Sequence, residues 1–313
     1  MVFESLGILL RKGSPALFGL VLLASLFSYA TPYFLSFANF LTILLQSSIL
    51  LMVALGMNLV LVSGGIDLSL GALLGLGGVI TVLLCHGGTA VVISVIAGVG
   101  IVSVFGLANG LLIARTGLPP FIVTFGTMGI AQSLALGLSK GSSLPGVPAL
   151  IRYIGEGRCI GIPVPVWIAL GITFLVHLLL SNSCFGPHIY GIGANEQSAI
   201  LSGINVKKSK IKVYFLAALL AGIGGLITIG RMNSAHPTVG IGMEFEAIAA
   251  AVIGGTSLFG GIGGVPGTMA GVLVIGVLRN GLDLMMIPGT WQISIIGVII
   301  LGSVSGDVIL RKR

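Results

Sequence analysis

Residues 40–62 read FLTILLQSSILLMVALGMNLVLV, from Phe40 to Val62, with no charged side chain. A helix needs about 20 mostly apolar residues to cross the hydrocarbon core of a bilayer, and this run supplies them. Working outward, nine further apolar stretches stand at roughly 15–31, 67–85, 90–114, 121–138, 164–181, 213–230, 244–259, 265–285 and 290–309. The stretches at 67–85, 244–259 and 265–285 are interrupted by glycine clusters, so eight complete spans plus re-entrant pieces is the rival count. The expectation is an all-α polytopic membrane protein with about ten transmembrane helices, some discontinuous. The chain reads as one transmembrane domain, 1–313.

Composition agrees. Hydrophobic residues make up 56% of the 313 residues and charged residues 7%, and the mean hydropathy is +1.16. A soluble domain carries roughly 25% charged residues because water must solvate its surface, so a soluble globular protein is excluded. Glycine is abundant, at 50 residues without a G-X-Y period, which excludes collagen. Runs such as Gly71-Ala72-Leu73-Leu74-Gly75-Leu76-Gly77-Gly78 suit close helix packing in lipid, and they equally permit broken helices. The cysteines Cys85, Cys159 and Cys184 show no metal spacing and read as small apolar filler, with any one disulfide left open. No removable signal peptide is expected.

The net charge of +7 does not point to nucleic acid, because the basic residues sit in short loops between apolar spans. A cytoplasmic N-terminus puts Arg11, Lys12, Arg115, Lys207, Lys208, Lys210, Lys212, Arg311, Lys312 and Arg313 in inner segments. Lys140, Arg152, Arg158, Arg231 and Arg279 are then left on or near the outer side. That bias follows the positive-inside rule and places both termini in the cytoplasm. An even span count is required, and both ten and eight satisfy it. The longest outer segment is 139–163, and the longest inner segment is 182–212. A faint internal echo relates Leu107-Ala108-Asn109-Gly110-Leu111 to Leu278-Arg279-Asn280-Gly281-Leu282. A looser echo relates Gly64-Gly65-Ile66-Asp67-Leu68 to Gly254-Gly255-Thr256-Ser257-Leu258. Transporters are often built from repeated halves, although the two echoes have different spacings.

No G-x-x-x-x-G-K-[ST], H-E-x-x-H or G-x-S-x-G pattern is present, and the four histidines (His86, His177, His188, His236) are scattered. The chain therefore reads as a conduit with no catalytic residues, no metal site and no cofactor, and it does not cradle nucleotide phosphates itself. Its most informative segment is the inner stretch Gly191-Ile192-Gly193-Ala194-Asn195-Glu196-Gln197-Ser198-Ala199-Ile200-Leu201-Ser202-Gly203-Ile204-Asn205-Val206. Asn195 is a helix cap, and Ala199, Ile200 and Ile204 form a short apolar stripe. Two readings are open from the residues alone. A short amphipathic helix in a loop can insert into a groove on a partner protein, or it can rest on lipid headgroups.

That stretch resembles the coupling segment of ribose- and xylose-type ABC transporter permeases, in the broader family that includes branched-chain amino acid permeases. Three more blocks match in order: Val62-Ser63-Gly64-Gly65-Ile66-Asp67-Leu68-Ser69-Leu70-Gly71, Leu118-Pro119-Pro120-Phe121-Ile122-Val123-Thr124-Phe125-Gly126-Thr127, and Ala247-Ile248-Ala249-Ala250-Ala251-Val252-Ile253-Gly254-Gly255-Thr256-Ser257-Leu258. The resemblance runs from about residue 40 to the C-terminus. It implies a permease subunit of a binding-protein-dependent importer for a sugar or sugar-like solute, multi-pass in the bacterial cytoplasmic (inner) membrane. The implied partners are a second permease subunit, two cytoplasmic ABC ATPase subunits, and a periplasmic or surface solute-binding protein. On it, Ala194, Asn195, Glu196, Ala199, Ile200, Leu201, Gly203 and Ile204 sit in the ATPase groove.

A pathway for a neutral polyol needs hydrogen-bonding groups, and Asn58, Asn109, Thr124, Thr127 and Asn280 are the candidates, beside Gln132 and Gln292. Each can instead bond a neighbouring helix. Asp67 reads as a cap for a helix beginning at Leu68, with a pathway or gating role as the alternative. Pro119-Pro120 reads as a helix start. The glycines of 254–267 read as the break in a discontinuous span facing a cavity, or as a tight inner turn. Arg279 and Asp283 stand at i, i+4 and can pair. Outer Arg152, Arg158 and Arg231 are candidates for docking a binding protein. The alternatives are a permease for branched-chain amino acids or another small polar solute, and a secondary transporter that works without ATPases.

Overall fold

A computed structural model describes the backbone of residues 2–311, and the side chains of these except 2–15, 293, 300 and 303–311. Of the basic residues used for orientation, Lys312 and Arg313 lie outside the described residues, as do the side chains of Arg11, Lys12 and Arg311. In chain order the helices are α1 (Val2–Ala30), α2 (Phe37–Val62), α3 (Leu70–His86), α4 (Val91–Thr116), α5 (Pro120–Ser139), α6 (Ala149–Glu156), α7 (Val164–Ser181), α8 (Phe185–Ala194), α9 (Glu196–Leu201), α10 (Val206–Met232), α11 (Met243–Ile253), α12 (Val265–Leu284) and α13 (Gly289–Arg311). Four two-residue strands, β1 (Leu144–Pro145), β2 (Arg158–Cys159), β3 (Ile162–Pro163) and β4 (Ser234–Ala235), pair antiparallel as β1–β4 and β2–β3. The protein is all-α and polytopic, and each of the ten apolar stretches falls on a helix.

Among the described residues, six helices are long and apolar enough to cross a membrane: α2, α4, α5, α7, α10 and α12. Shorter apolar helices run over Ala16–Ala30, Leu70–His86 and Gly289–Ile299, and α11 has 11 residues. The stretch expected at 213–230 begins earlier, at Val206, because Asn205 caps α10 by accepting the Lys208 N–H. The one expected at 244–259 ends at Ile253.

Burial sorts the helices. In α2 and α10, 72% of the apolar window is buried, against 28% in α4, α5 and α7. Met52, Leu55, Met57, Leu59 and Leu61 are wholly buried although they point in all directions around α2, as expected of a helix apolar all round. The two central helices pack on each other. The α3 and α4 helices pack on α10, whereas α11 and α12 pack on α2; α5 then covers α3 and α13 covers α11. The halves thus exchange partners, and the stronger sequence echo marks the correspondence. Asn109 on α4 and Asn280 on α12 are 171 residues apart (280 − 109). Adding 171 to 37–62 gives 208–233, against Val206–Met232 for α10, and adding it to 120 gives 291, against Gly289 for α13. The looser echo fails this register (254 − 64 = 190); it joins two unrelated glycine turns.

In both halves a non-helical segment precedes the short helix: 63–69 before α3 and 233–242 before α11. Irregular backbone at membrane depth is tolerated inside protein or beside a water-filled cavity; 63–69 is largely buried, and 233–242 is partly so, with Thr238 and Ile241 exposed. Leu68 N–H donates to Thr124 Oγ1 at 3.1 Å on α5. Residues 233–242 run along α3, with β4 pairing β1, Gln132 donating to the Pro237 carbonyl at 3.2 Å, and Gly240 packed on Gly71. The segment 139–163 folds into α6 and a β2–β3 hairpin over the opposite end of the bundle from α9. Cys85, Cys159 and Cys184 are all free.

Candidate coupling face and solute cavity

The segment 182–212 builds a small platform at one end of the bundle. Asn195 ends α8 and starts α9, its side chain accepting the Ser198 N–H at 2.9 Å. Residue 203 lies in the left-handed region (φ +80°), which glycine adopts without strain. The turn it makes lets Ile204 N–H donate to the Ala199 carbonyl at 3.0 Å. Ala199, Ile192 and Val206 are buried together, with Ile204 against them. Lys210 Nζ reaches Glu196 Oε2 at 2.7 Å and ties the start of α9 to α10. The apolar stripe expected over Ala199, Ile200 and Ile204 therefore divides. Ala199 and Ile204 face the platform, while Ile200 is 53% exposed and Leu201 is 87% exposed at the tip. Ala194 borders a groove of about 400 Å³ that also holds Gly64, Gly65, Glu196 and Lys210.

Beneath the platform three glycine segments meet. A Cβ at Gly193 would strike the Val62 carbonyl oxygen and the Gly261 nitrogen. That oxygen, at the end of α2, accepts the Gly261 N–H at 2.9 Å. Tyr190 donates to the Gly263 carbonyl at 3.0 Å, and burial pushes its phenol pKa up, keeping the donor protonated. The 254–264 connection between α11 and α12 is thus a turn packed under α8, with Phe259 on the edge of the groove beside Ala194. At Gly193, two residues before the Asn195 cap of α9, α8 meets backbone from both halves with no side chain between.

The candidate pathway residues lie in interhelical hydrogen bonds. Thr127 donates to Asn109 Oδ1 at 2.5 Å, Asn109 Nδ2 donates to Ser69 Oγ at 3.2 Å, and Ser69 Oγ donates to Asp67 Oδ1 at 2.6 Å. Asp67 also accepts the Ser69 N–H at 2.9 Å. It stabilises the turn before α3, which starts at Leu70 and not at Leu68. Thr124 joins the same junction through Leu68. Thr256 donates to Asn58 Oδ1 at 2.8 Å, and Asn39 and Asn280 exchange bonds of 2.9 and 2.8 Å. Asn58, Asn109 and Thr124 are wholly buried, and Thr127 and Asn280 nearly so.

A second open space, lined in part by charged side chains, lies at the other end. A cavity of about 250 Å³ sits between α2, α10, α11 and α12, towards the end opposite α9. Arg279 Nη1 bonds Glu246 Oε2 at 2.9 Å there. Asp283 accepts from Gln292 at 2.8 Å, so the expected Arg279–Asp283 pair is not formed. A carboxylate 33 positions away lies nearer than the one a helical turn on. Arg152 and Arg158 are exposed on α6 and β2, whereas Arg231 turns into this cavity. Gln46, Ser47, Thr228 and Glu246 also line it and were not singled out from the sequence. Their signal was a polar pair, Gln46-Ser47, and an acid, Glu246, inside apolar stretches.

Comparison with known proteins agrees with this architecture. The profile of the family described as branched-chain amino acid transport system / permease component matches residues 39–304. The ribose import permease protein of Bacillus subtilis (strain 168) is 40% identical over 307 residues, covering 97% of this chain and 94% of its own. The ribose import permease protein of Escherichia coli (strain K12) is 38% identical, covering 93% and 92%. The L-arabinose transport system permease protein of the same strain is 34% identical, covering 90% and 86%. No solved structure matches. The chain belongs to the branched-chain amino acid transport system / permease component family.

Proposed function

We propose that this chain is the permease subunit of a binding-protein-dependent ABC importer for a sugar, working as a pair with a second permease subunit. It is a single, non-catalytic membrane domain, and two cytoplasmic ABC ATPases hydrolyse ATP for it. Ten helices cross the bacterial cytoplasmic membrane: the six long ones, α1, α3 and α13, and the shorter α11. Exposed Arg115, Lys207, Lys208 and Lys212 give the α9 end its positive charge, which supports a cytoplasmic α9 end and cytoplasmic termini. The observation that carries the reading is the α9 tip. Ile200 and Leu201 are the large apolar side chains exposed on a platform whose apolar Ile192, Ala199 and Val206 are buried, as a helix made to enter a partner's groove would show. The groove is that of the ATPase, with Ala194, Asn195, Glu196 and Gly203 shaping the helix that enters it. Because packed helices have discrete positions, closure of the ATPases moves the attached helices as rigid bodies. On the opposite face, Arg152 and Arg158 steer a solute-binding protein.

Sugar as the solute class rests on relatives named for ribose, allose and arabinose. The family description favours a second reading, a branched-chain amino acid. Proteoliposomes holding the chain with its ATPase and binding protein test both. ATP-dependent uptake of D-ribose, D-allose or L-arabinose that excess leucine does not inhibit is the expected result. Uptake of leucine in preference to all three sugars would overturn it.

A further inference from the structure

We propose that the cavity between α2, α10, α11 and α12 is a solute-binding site for one monosaccharide-sized polyol, built within a single permease subunit. The inference rests on the sugar-importer reading and adds a place and a set of side chains to it.

The two halves of the chain provide the first argument. They share a register of 171 residues, so each cavity residue has a counterpart in the other half that does the same architectural work. Gln46 and Ser47 correspond to Ala217 and Ala218, and Arg231 to Val60. Glu246 corresponds to Gly75, Arg279 to Ala108, and Asp283 to Leu112. Every polar or charged member of the cavity faces an apolar or small counterpart. In the second position of Leu107-Ala108-Asn109-Gly110-Leu111, the one place where the echo departs, the cavity side carries Arg279. The packing diverges in the same way. Ala217 and Ala218 are wholly buried, Ala217 against Gly56 on α2 and Ala218 against Gly106 on α4, while the α2–α12 contact opens into about 250 Å³. The helical frame alone does not require these groups, since half of it stands without them.

The chemistry of the lining is the second argument. Ser47 is 5% exposed, and its Oγ has no hydrogen-bond partner among the described residues; Gln46 Oε1 likewise has none. Such orphans are costly in a buried site. Arg231 has no carboxylate within ion-pair distance among the described residues. The two arginines are balanced by Glu246 and Asp283, so an ion of either sign gains no net attraction, whereas a neutral polyol fits. Adjacent hydroxyls can donate to a carboxylate and accept from a guanidinium at once. Drug-sized ligands occupy cavities of about 300–1,000 Å³, and this one is somewhat smaller. Arg279 is 46% exposed at the mouth, which gives solute a way in from the end opposite α9.

The test uses the complex of permease and ATPase in lipid nanodiscs, with Cys85, Cys159 and Cys184 replaced by serine and D-ribose import first verified in proteoliposomes. Gln46→Cys is labelled with a small methanethiosulfonate reagent with and without D-ribose; Met232→Cys, also on the lining, is a second reporter should the first not assemble. D-ribose should slow labelling severalfold relative to buffer alone, L-leucine should not, and Arg231→Gln or Glu246→Gln should remove the protection. Glu156→Cys, exposed on α6 and off the cavity lining, should label at a rate that D-ribose does not change. Unprotected reporters in a complex that imports D-ribose overturn the site and leave the importer reading standing. Protection that survives both Arg231→Gln and Glu246→Gln also overturns it. Failure of the unsubstituted complex to import D-ribose, D-allose or L-arabinose overturns the importer reading, and the site falls with it.

Discussion

Leu201 is the sharpest probe of the coupling face, because its side chain is 87% exposed and contributes almost nothing to the fold. Leu201→Ala removes three carbon atoms. At about 0.8 kcal/mol per buried CH2, full burial in a partner groove gives about 2.4 kcal/mol. Scaled by the 87% that is free to be buried, this leaves about 2.1 kcal/mol, or roughly a 30-fold loss of affinity for the ATPase at 1.4 kcal/mol per decade. The isolated permease should meanwhile keep its stability to within about 0.5 kcal/mol, as surface substitutions usually do. Titrating the ATPase onto permease in nanodiscs by microscale thermophoresis, beside a thermal melt of permease alone, separates the two effects. A weakened complex with an unchanged melt is the expected pair of results. Unchanged ATPase affinity would refute the reasoning, because it would mean the tip of α9 rests on lipid headgroups and not in a protein groove.

Asn195→Ala removes the cap of α9 and should cost about 1 kcal/mol of local helix, lowering solute-stimulated ATP hydrolysis while the permease still inserts. Gly193→Val should prevent a coupled complex, since its side chain would meet the Val62 carbonyl; purified variant that still shows solute-stimulated hydrolysis would argue against that junction as the transmission point. Asn39→Ala and Asn280→Ala should each cost about 0.6 to 1.7 kcal/mol in a detergent unfolding assay, and the double variant should cost clearly less than their sum, because the two side chains bond each other. In intact cells, with Cys85, Cys159 and Cys184 replaced by serine, an impermeant maleimide should label Glu156→Cys from outside and Lys208→Cys only after the membrane is opened; the reverse pattern inverts the topology.

The helices were legible in the sequence because lipid leaves little choice. Each spanning segment must be about 20 residues of apolar chain, and 40–62 announces itself. The breaks were less legible. Glycine at 254–267 is compatible with a turn or an open span, and only the approach of Gly193 and Val62 decides for the turn. Asp67 was recognised as a capping acid, but its chain through Ser69 and Asn109 to Thr127 joins residues up to 60 apart (127 − 67), which no local pattern encodes. The short helix after Asn195 was expected where the structure has it, and its division into buried Ala199 and exposed Leu201 depended on where the turn at Gly203 points it. Arg231 was read as a rim charge because it ends a span; which way a side chain turns at a helix end is set by its neighbours in three dimensions. The cavity it lines was missed for the same reason, although the comparison of the two halves at a fixed register could have disclosed it.

The central claim is that this chain conducts a sugar only when ATPases drive it. The direct measurement is uptake of radiolabelled D-ribose by proteoliposomes containing the permease, its ATPase and its binding protein, with ATP or a non-hydrolysable analogue enclosed. Uptake is expected with ATP, none with the analogue, and none when the ATPase is left out. Uptake that follows a sodium or proton gradient without ATPase or ATP would contradict it.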